Sequence, residues 1–209
     1  MKTIHLIDGG FFSKKFTKAF KNFPISSDVI KFISKLNIKY NNSFQILRIY
    51  YYDCPPLDKK VEYPISGKDL NLKLSKRYKE NEKLLKDLKR EDFVSVREGF
   101  LTGRGWRLKE NAIQKIRSNQ PLQDSDFILN IKQKGTDLKI GLDIAWISLK
   151  KIAERIILIT GDSDFIPAMK FARRSGIQVF LSTLDHVVSD NLKDHSDVLI
   201  LDDIQTILS

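Results

Sequence analysis

The sequence predicts an α/β protein: a parallel sheet with helices packed on both faces. Three observations carry that expectation. Short apolar runs alternate with helical patterns throughout the final third. The first apolar run ends in Asp8-Gly9-Gly10, a strand followed by a turn. The chain, 209 residues with 42% hydrophobic and 30% charged, is long enough for one sizeable core and short for two. The expected organisation is a single domain over 1–209 with a basic helix-hairpin insertion at about 57–127.

Taken in order, Thr3 to Asp8 is a buried strand, and helical spacing follows over Phe11 to Lys21 and Ser26 to Tyr40. Ser26-Ser27-Asp28 supplies capping side chains for the second helix. Phe44 to Tyr52 is rich in β-branched and aromatic residues and reads as a strand, ended by Asp53-Cys54-Pro55-Pro56 because proline cannot donate to a ladder. A charged helix is expected over Lys68 to Lys89, with Leu70, Leu74, Tyr78, Leu85 and Leu88 near one face. Phe93 to Leu101 and Trp106 to Leu108 flank Thr102-Gly103-Arg104-Gly105, which reads as the turn of a β-hairpin. Asn111 to Pro121 fits a short helix or a loop, and Phe127 to Ile131 a strand or an extended lead-in. Then come a helix over Asp137 to Ala153, a buried strand over Arg155 to Thr160, and a helix over Phe165 to Ser175 ended by Gly176. Ile177 to Leu181 and Val198 to Leu201 complete the strands. Right-handed crossovers between these strands make the sheet parallel.

Composition excludes a disordered chain, a collagen and a disulfide-stapled scaffold. No run reaches the roughly 18 apolar residues of a membrane span, and Asp8 arrives before a signal-peptide core could form. The single cysteine, Cys54, can make neither an internal disulfide nor a cysteine zinc site. A soluble, cytoplasmic protein is expected. The formal net charge of +10 is uneven: residues 1–58 carry +5, 59–117 carry +8 and 118–209 carry −3. A basic middle suits a phosphate polyanion, since each neutralised phosphate releases condensed counterions; a solvated lysine-rich helix is the plainer reading.

The acidic third has its own logic. In a parallel sheet the carboxyl ends of the strands share one edge, where ligands bind near a switch in strand order. The first strand delivers Asp8 to that edge, and the strand at 155–160 delivers Asp162-Ser163-Asp164. Asp137 and Asp143 lie on the preceding helix, six residues and so about 120° apart. Asp137 also fits a helix cap, but Asp143 sits among Ile140, Leu142, Ile144 and Ile147, where a lone acid is costly unless paired or metal-bound. Crowded carboxylates repel one another, and a divalent cation resolves that. Oxygen ligands without histidine or cysteine point to Mg²⁺ or Mn²⁺.

These residues resemble a known family. Asp8-Gly9-Gly10, Lys134-Gly135-Thr136-Asp137, Leu142-Asp143-Ile144-Ala145 and Thr160-Gly161-Asp162-Ser163-Asp164-Phe165, with Pro167 and Gly176, are similar to the NYN domain, in particular the LabA-like branch of the PIN-like nuclease superfamily. Arg48 to Pro56 looks like the same branch. The resemblance implies a Rossmann-like three-layer α/β/α sandwich and a metal-dependent ribonuclease, an endoribonuclease using Mg²⁺ or Mn²⁺. It marks Asp8, Asp137, Asp143, Asp162 and Asp164 as catalytic, with Asp8, Asp143, Asp162 and Asp164 on the metal. Where many members carry asparagine three residues after the first aspartate, this chain has Phe11. That departure keeps a non-catalytic RNA-binding protein as the alternative.

RNA is the expected partner, no membrane association is expected, and monomer and homodimer are both open. Ser163, Lys134 and Lys139 lie beside the acids, and Lys170, Arg173 and Arg174 on the next helix; solvated side chains or a helix cap explain them equally. Arg104, Trp106 and Arg107, together with Arg97, combine cation and aromatic as in single-strand binders, though blocking charges at a sheet edge give the same pattern. Asp162-x-Asp164 also has the spacing of the haloacid dehalogenase nucleophile pair. That pair should follow the first strand, which here carries Asp8-Gly9-Gly10.

Overall fold

The computed structural model describes residues 1–40 and 45–209. Its elements begin with β1 (Lys2–Asp8), α1 (Gly9–Phe20), α2 (Ser26–Lys39), β2 (Gln45–Asp53), β3 (Lys60–Glu62), β4 (Asp69–Asn71), α3 (Lys76–Leu88) and β5 (Val94–Glu98). They continue with β6 (Phe100–Leu108), α4 (Ile113–Arg117), β7 (Phe127–Lys134), α5 (Thr136–Lys150) and β8 (Arg155–Ile159). The chain ends through α6 (Ile166–Arg174), β9 (Gln178–Ser182), α7 (Asp190–Lys193), β10 (Val198–Ile200) and α8 (Ile204–Leu208).

Six strands form one parallel sheet in the order β10-β9-β8-β1-β2-β5. Both faces are covered, as an all-parallel sheet requires, and all five residues of β8 are buried. One layer packs Phe12, Phe32, Leu36, Leu84 and Ile204, from α1, α2, α3 and α8, against Ile7, Ile49 and Ile157. The other packs Ile140, Ile144, Met169 and Leu192, from α5, α6 and α7, against Leu6, Tyr52 and Leu158. The three-layer α/β/α architecture is as expected. None of the described helices is long and apolar enough to cross a membrane.

Several expectations need correction. Phe44, taken as the start of the second strand, lies outside the described residues. The second helix is capped from Ile25, whose backbone N–H donates to Asp28 Oδ2 at 2.9 Å, so Asp28 sits inside the first turn. The charged helix starts at Lys76, eight residues late. Ser75 Oγ accepts from Tyr78 N at 3.2 Å as its cap, and the residues ahead of it form the small antiparallel pair β3–β4 and a 3₁₀ turn.

The expected hairpin is also differently built. Val94–Glu98 does not fold back on Trp106–Leu108; it joins the main sheet parallel to β2. Phe100 to Leu108 runs as one strand through the glycine-rich tetrapeptide and pairs antiparallel with β7. The register shifts between Gly103 and Trp106, with Gly105 at φ +78°, so the glycines form a bulge where a turn was expected. This arm leaves the sheet after β5 and returns at α5.

Candidate functional site

Register brings the strand ends together. Asp8 lies level with Tyr52 of β2, and Ile7 pairs with Ile159, the last residue of β8. The chain turns from β1 toward β2 on one side, while β8 and its successors fill the other. The boundary between β1 and β8 is therefore the switch point of the sheet, and Asp8 and the loop 160–165 stand at its carboxyl edge.

Asp8 caps α1 while facing that edge. Its Oδ1 accepts from Phe11 N at 3.1 Å, and its Oδ2 from Thr160 Oγ1 at 3.3 Å. Thr160 is fully buried and in turn accepts from Asp162 N at 3.2 Å, so one hydroxyl ties the two strand-end loops together. Burial raises the Asp8 pKa above the usual carboxylate range, and the charges of Asp137 and Asp162 raise it further, against the lowering effect of the Phe11 and Thr160 hydrogen bonds. Three of the expected acids thus share one electrostatic environment. Asp162 also caps the 3₁₀ turn that follows, its Oδ1 accepting from Asp164 N at 2.9 Å. Asp164 and Asp137 line a common groove of about 350 Å³ between α5 and α6.

Asp137 sits in the first turn of α5, where Thr136 Oγ1 donates to its Oδ1 at 3.3 Å and Gln133 Nε2 donates to Thr136 Oγ1 at 2.9 Å. Asp143, two turns on, is held differently. Tyr52 Oη donates to its Oδ2 at 2.8 Å, and Arg97 Nε forms an ion pair with the same oxygen at 3.2 Å. The Arg97 guanidinium also lies 4.5 Å from the Tyr50 ring centre. The acid expected to be buried on this helix is half-buried, and a tyrosine and an arginine pair with it. Burial and the Asp143 carboxylate together push the Tyr52 phenol well above its ordinary pKa. Among the described residues no three histidine, cysteine or acidic side chains stand close enough to hold a metal ion as they lie. The donor chemistry nonetheless fits a hard cation: oxygen ligands only, with a desolvated Asp8 at the centre and Asp137 and Asp164 exposed.

The expected RNA-contacting residues fall into three groups. Ser163 is exposed between Asp162 and Asp164, and Lys134 is exposed at the end of β7; the Lys139 ammonium donates to the Glu98 carbonyl. Arg104 and Arg107 are exposed on β6, but Trp106 is engaged: its indole N–H donates to the Glu62 carbonyl at 2.8 Å and its ring stacks on Tyr63 at 5.3 Å. Arg97 belongs to the main sheet and not to the arm. On α6, Lys170 and Arg174 are exposed, whereas Arg173 is occupied by Asp197 Oδ1 at 2.9 Å and the Asp194 carbonyl at 3.1 Å.

Sequence reasoning missed four neighbours. In the sequence Thr160 reads only as a strand end, and Tyr52 as an ordinary strand residue. Alternation along β2 could have found the latter, because Tyr50 and Tyr52 must face α5 if Tyr51 faces α1. Asp53 ends β2 almost fully buried; burial lifts its pKa to about 6, with the Asp8 charge adding to the rise and Arg77 and the Cys54 backbone N–H opposing it. His186 leans over the acidic loop: a Cβ on Gly161 would lie 2.5 Å from His186 Cδ2 and 3.0 Å from Phe11 Cε2. Leu184 and Asp185, both at positive φ (47° and 55°), turn the chain to bring it there, and no sequence signal marks that turn.

A family model described as NYN domain matches residues 67–203, which takes in every expected acid but Asp8. No curated protein matches. Among solved structures, a protein of unknown function from Vibrio parahaemolyticus is similar at a TM-score of 0.51 and 14% identity, over 97% of this chain and 94% of that one. That likeness speaks to the fold.

Proposed function

The chain belongs to the NYN domain family, and from that premise we propose that it is a metal-dependent ribonuclease of the LabA-like branch, hydrolysing RNA phosphodiester bonds endonucleolytically. The observation that carries the reading is the Thr160 hydroxyl that ties Asp8 to the Asp162 loop at the switch point, with Asp137 and Asp164 lining the adjoining groove. Asp8 and Asp162 would hold Mg²⁺ or Mn²⁺, with Asp137 and Asp164 turning in to complete the set. Such an ion lowers the pKa of a bound water and neutralises charge developing on phosphate oxygens. Asp143, tied to Tyr52 and Arg97, acts from behind by fixing α5 and hence Asp137. Thr160 and the Phe11 N–H fix the Asp8 carboxylate so that it need not reorganise. Ser163, Lys134 and the exposed arginines of β6 would contact the phosphates that these acids alone would repel.

The test is cleavage of labelled RNA in Mn²⁺ against EDTA, using wild type and Asp162→Asn. The expected outcome is metal-dependent cleavage, lost in the variant while RNA binding persists. Equal cleavage by Asp162→Asn would overturn the reading. Phe11 supports a second reading, an RNA-binding regulator that keeps the acids without catalysis: its ring sits edge-on to His186 at 5.7 Å, where the family commonly carries asparagine. Salt-sensitive RNA binding with no cleavage in any divalent metal would favour it.

A further inference from the structure

Beside Asp8 lies a cavity of about 370 Å³ that the proposed chemistry leaves unused. Its walls come from elements far apart in sequence: Leu57 and Leu72 from the segment before α3, and Leu101 and Ile131 from the two strands of the arm. Such a slot is apolar on its flanks and of the size that takes small organic ligands. Of its polar lining side chains, Ser75 caps α3, Tyr78 donates to Glu82, Arg77 stacks on Phe23 and Gln133 donates to Thr136, which leaves Asp53 and Asn81 facing each other. Asp53 Oδ1 accepts from Cys54 N at 2.7 Å, and its Oδ2 faces Asn81 Nδ2 at 3.5 Å. The carboxylate fixes the amide orientation, since an acceptor turned toward Asp53 would repel it. Asn81 Oδ1 is thereby left buried with no hydrogen-bond partner. An unsatisfied buried carbonyl is costly.

The cavity also opens onto the acids. Gly10 and Gln133 line it, and a Cβ on Gly10 would lie 3.3 Å from Gln133 Oε1 and 3.5 Å from Asp8 Oδ1. The mouth of the slot at Gly10 thus adjoins the Asp8 carboxylate. We infer that this cavity is a nucleobase subsite, taking the unstacked base next to the cleaved phosphate between its aliphatic walls. The Asp53 carboxylate and the Asn81 carbonyl are both acceptors, so they call for a base edge with two adjacent donors. Guanine, with N1–H and the exocyclic amine side by side, offers that edge; adenine, cytosine and uracil do not. Unpaired bases are generally read in this way, flanked by side chains and hydrogen-bonded along their pairing edge. The inference rests on the ribonuclease reading for its substrate and adds a base preference to it.

The test is equilibrium binding in EDTA, where no cleavage occurs, of fluorescently labelled octauridylate and of the same strand with one internal uridine replaced by guanosine, adenosine or cytidine. Guanosine should tighten binding roughly tenfold, in the range of one good paired contact to a base. Asp53→Asn, which turns one acceptor into a donor, and Leu101→Trp, which fills the slot from the arm without touching the main sheet, should each remove the preference. Equal affinity of wild type for all four strands overturns the subsite. The two readings fail separately. Metal-dependent cleavage without base preference leaves the nuclease and removes the pocket, whereas guanosine-selective binding without metal-dependent cleavage does the reverse.

Discussion

Replacing Asp53 by asparagine should make this protein more stable at neutral pH and less sensitive to pH. Asp53 is 6% exposed, and burial lifts its pKa from 3.8 to about 6. A carboxyl whose pKa is raised by folding favours the native state fully below its unfolded pKa, and that contribution is lost as pH rises through the folded value. The gap between 3.8 and about 6 corresponds to about 3 kcal/mol lost between acid and neutral solution, of which about 2 kcal/mol falls between pH ~4.5 and ~7.5. Asparagine keeps the volume and a carbonyl for the Cys54 N–H, and it carries no charge to desolvate. The assay is urea unfolding of both proteins across that interval. At a slope of about 3 kcal/mol/M, the wild-type midpoint should fall by about 0.7 M more than that of Asp53→Asn. Asp8 also titrates upward on folding in both proteins; because its charge is coupled to that of Asp53, its rise is smaller in the variant, which widens the difference in the same direction. Parallel pH profiles for the two proteins would refute the argument that Asp53 bears a desolvation penalty.

Tyr52→Phe removes the phenol that donates to Asp143 and leaves that half-buried carboxylate with Arg97 alone; it should cost about 1–2 kcal/mol in denaturant unfolding, and an unchanged midpoint would count against the pairing. Gly9→Ala should cost about 1–3 kcal/mol by thermal unfolding, because the new methyl would meet Tyr51 Cε1 at 2.5 Å and the Tyr52 carbonyl oxygen at 2.7 Å. A wild-type melting temperature for that variant would mean that β2 can give way at its carboxyl end.

The sheet was legible because its signals are periodic and local. Ile156 to Ile159 is apolar throughout, and the helices on either side announce a crossover, so the strand and its parallel pairing followed together. The acids at strand ends were legible for the same reason: once β1 and β8 are parallel, Asp8 and Asp162 have to share an edge. The arm was misread because a bulge and a turn use the same residues, and only the partner strand decides between them. Phe127 to Lys134 is that partner, lying beyond a short helix that the sequence left undecided. Asp143 shows the complementary difficulty. Its need for a partner was readable, but the helix leaves it half-buried beside the exposed Leu142 and Trp146, and its partners come from β2 and β5, so the choice between an ion and a tyrosine–arginine pair depended on tertiary placement.

The arm's two ends leave and rejoin the sheet at nearly one point. A Cβ on Gly99 would lie 2.5 Å from the Lys134 carbonyl and 2.9 Å from Thr136 Cγ2. A ribbon anchored through so narrow a stem can be lengthened, shortened or exchanged at its tip without disturbing the strands that carry the aspartates. Remodelling this appendage alone changes the surface offered to a partner, while the scaffold beneath stays the same.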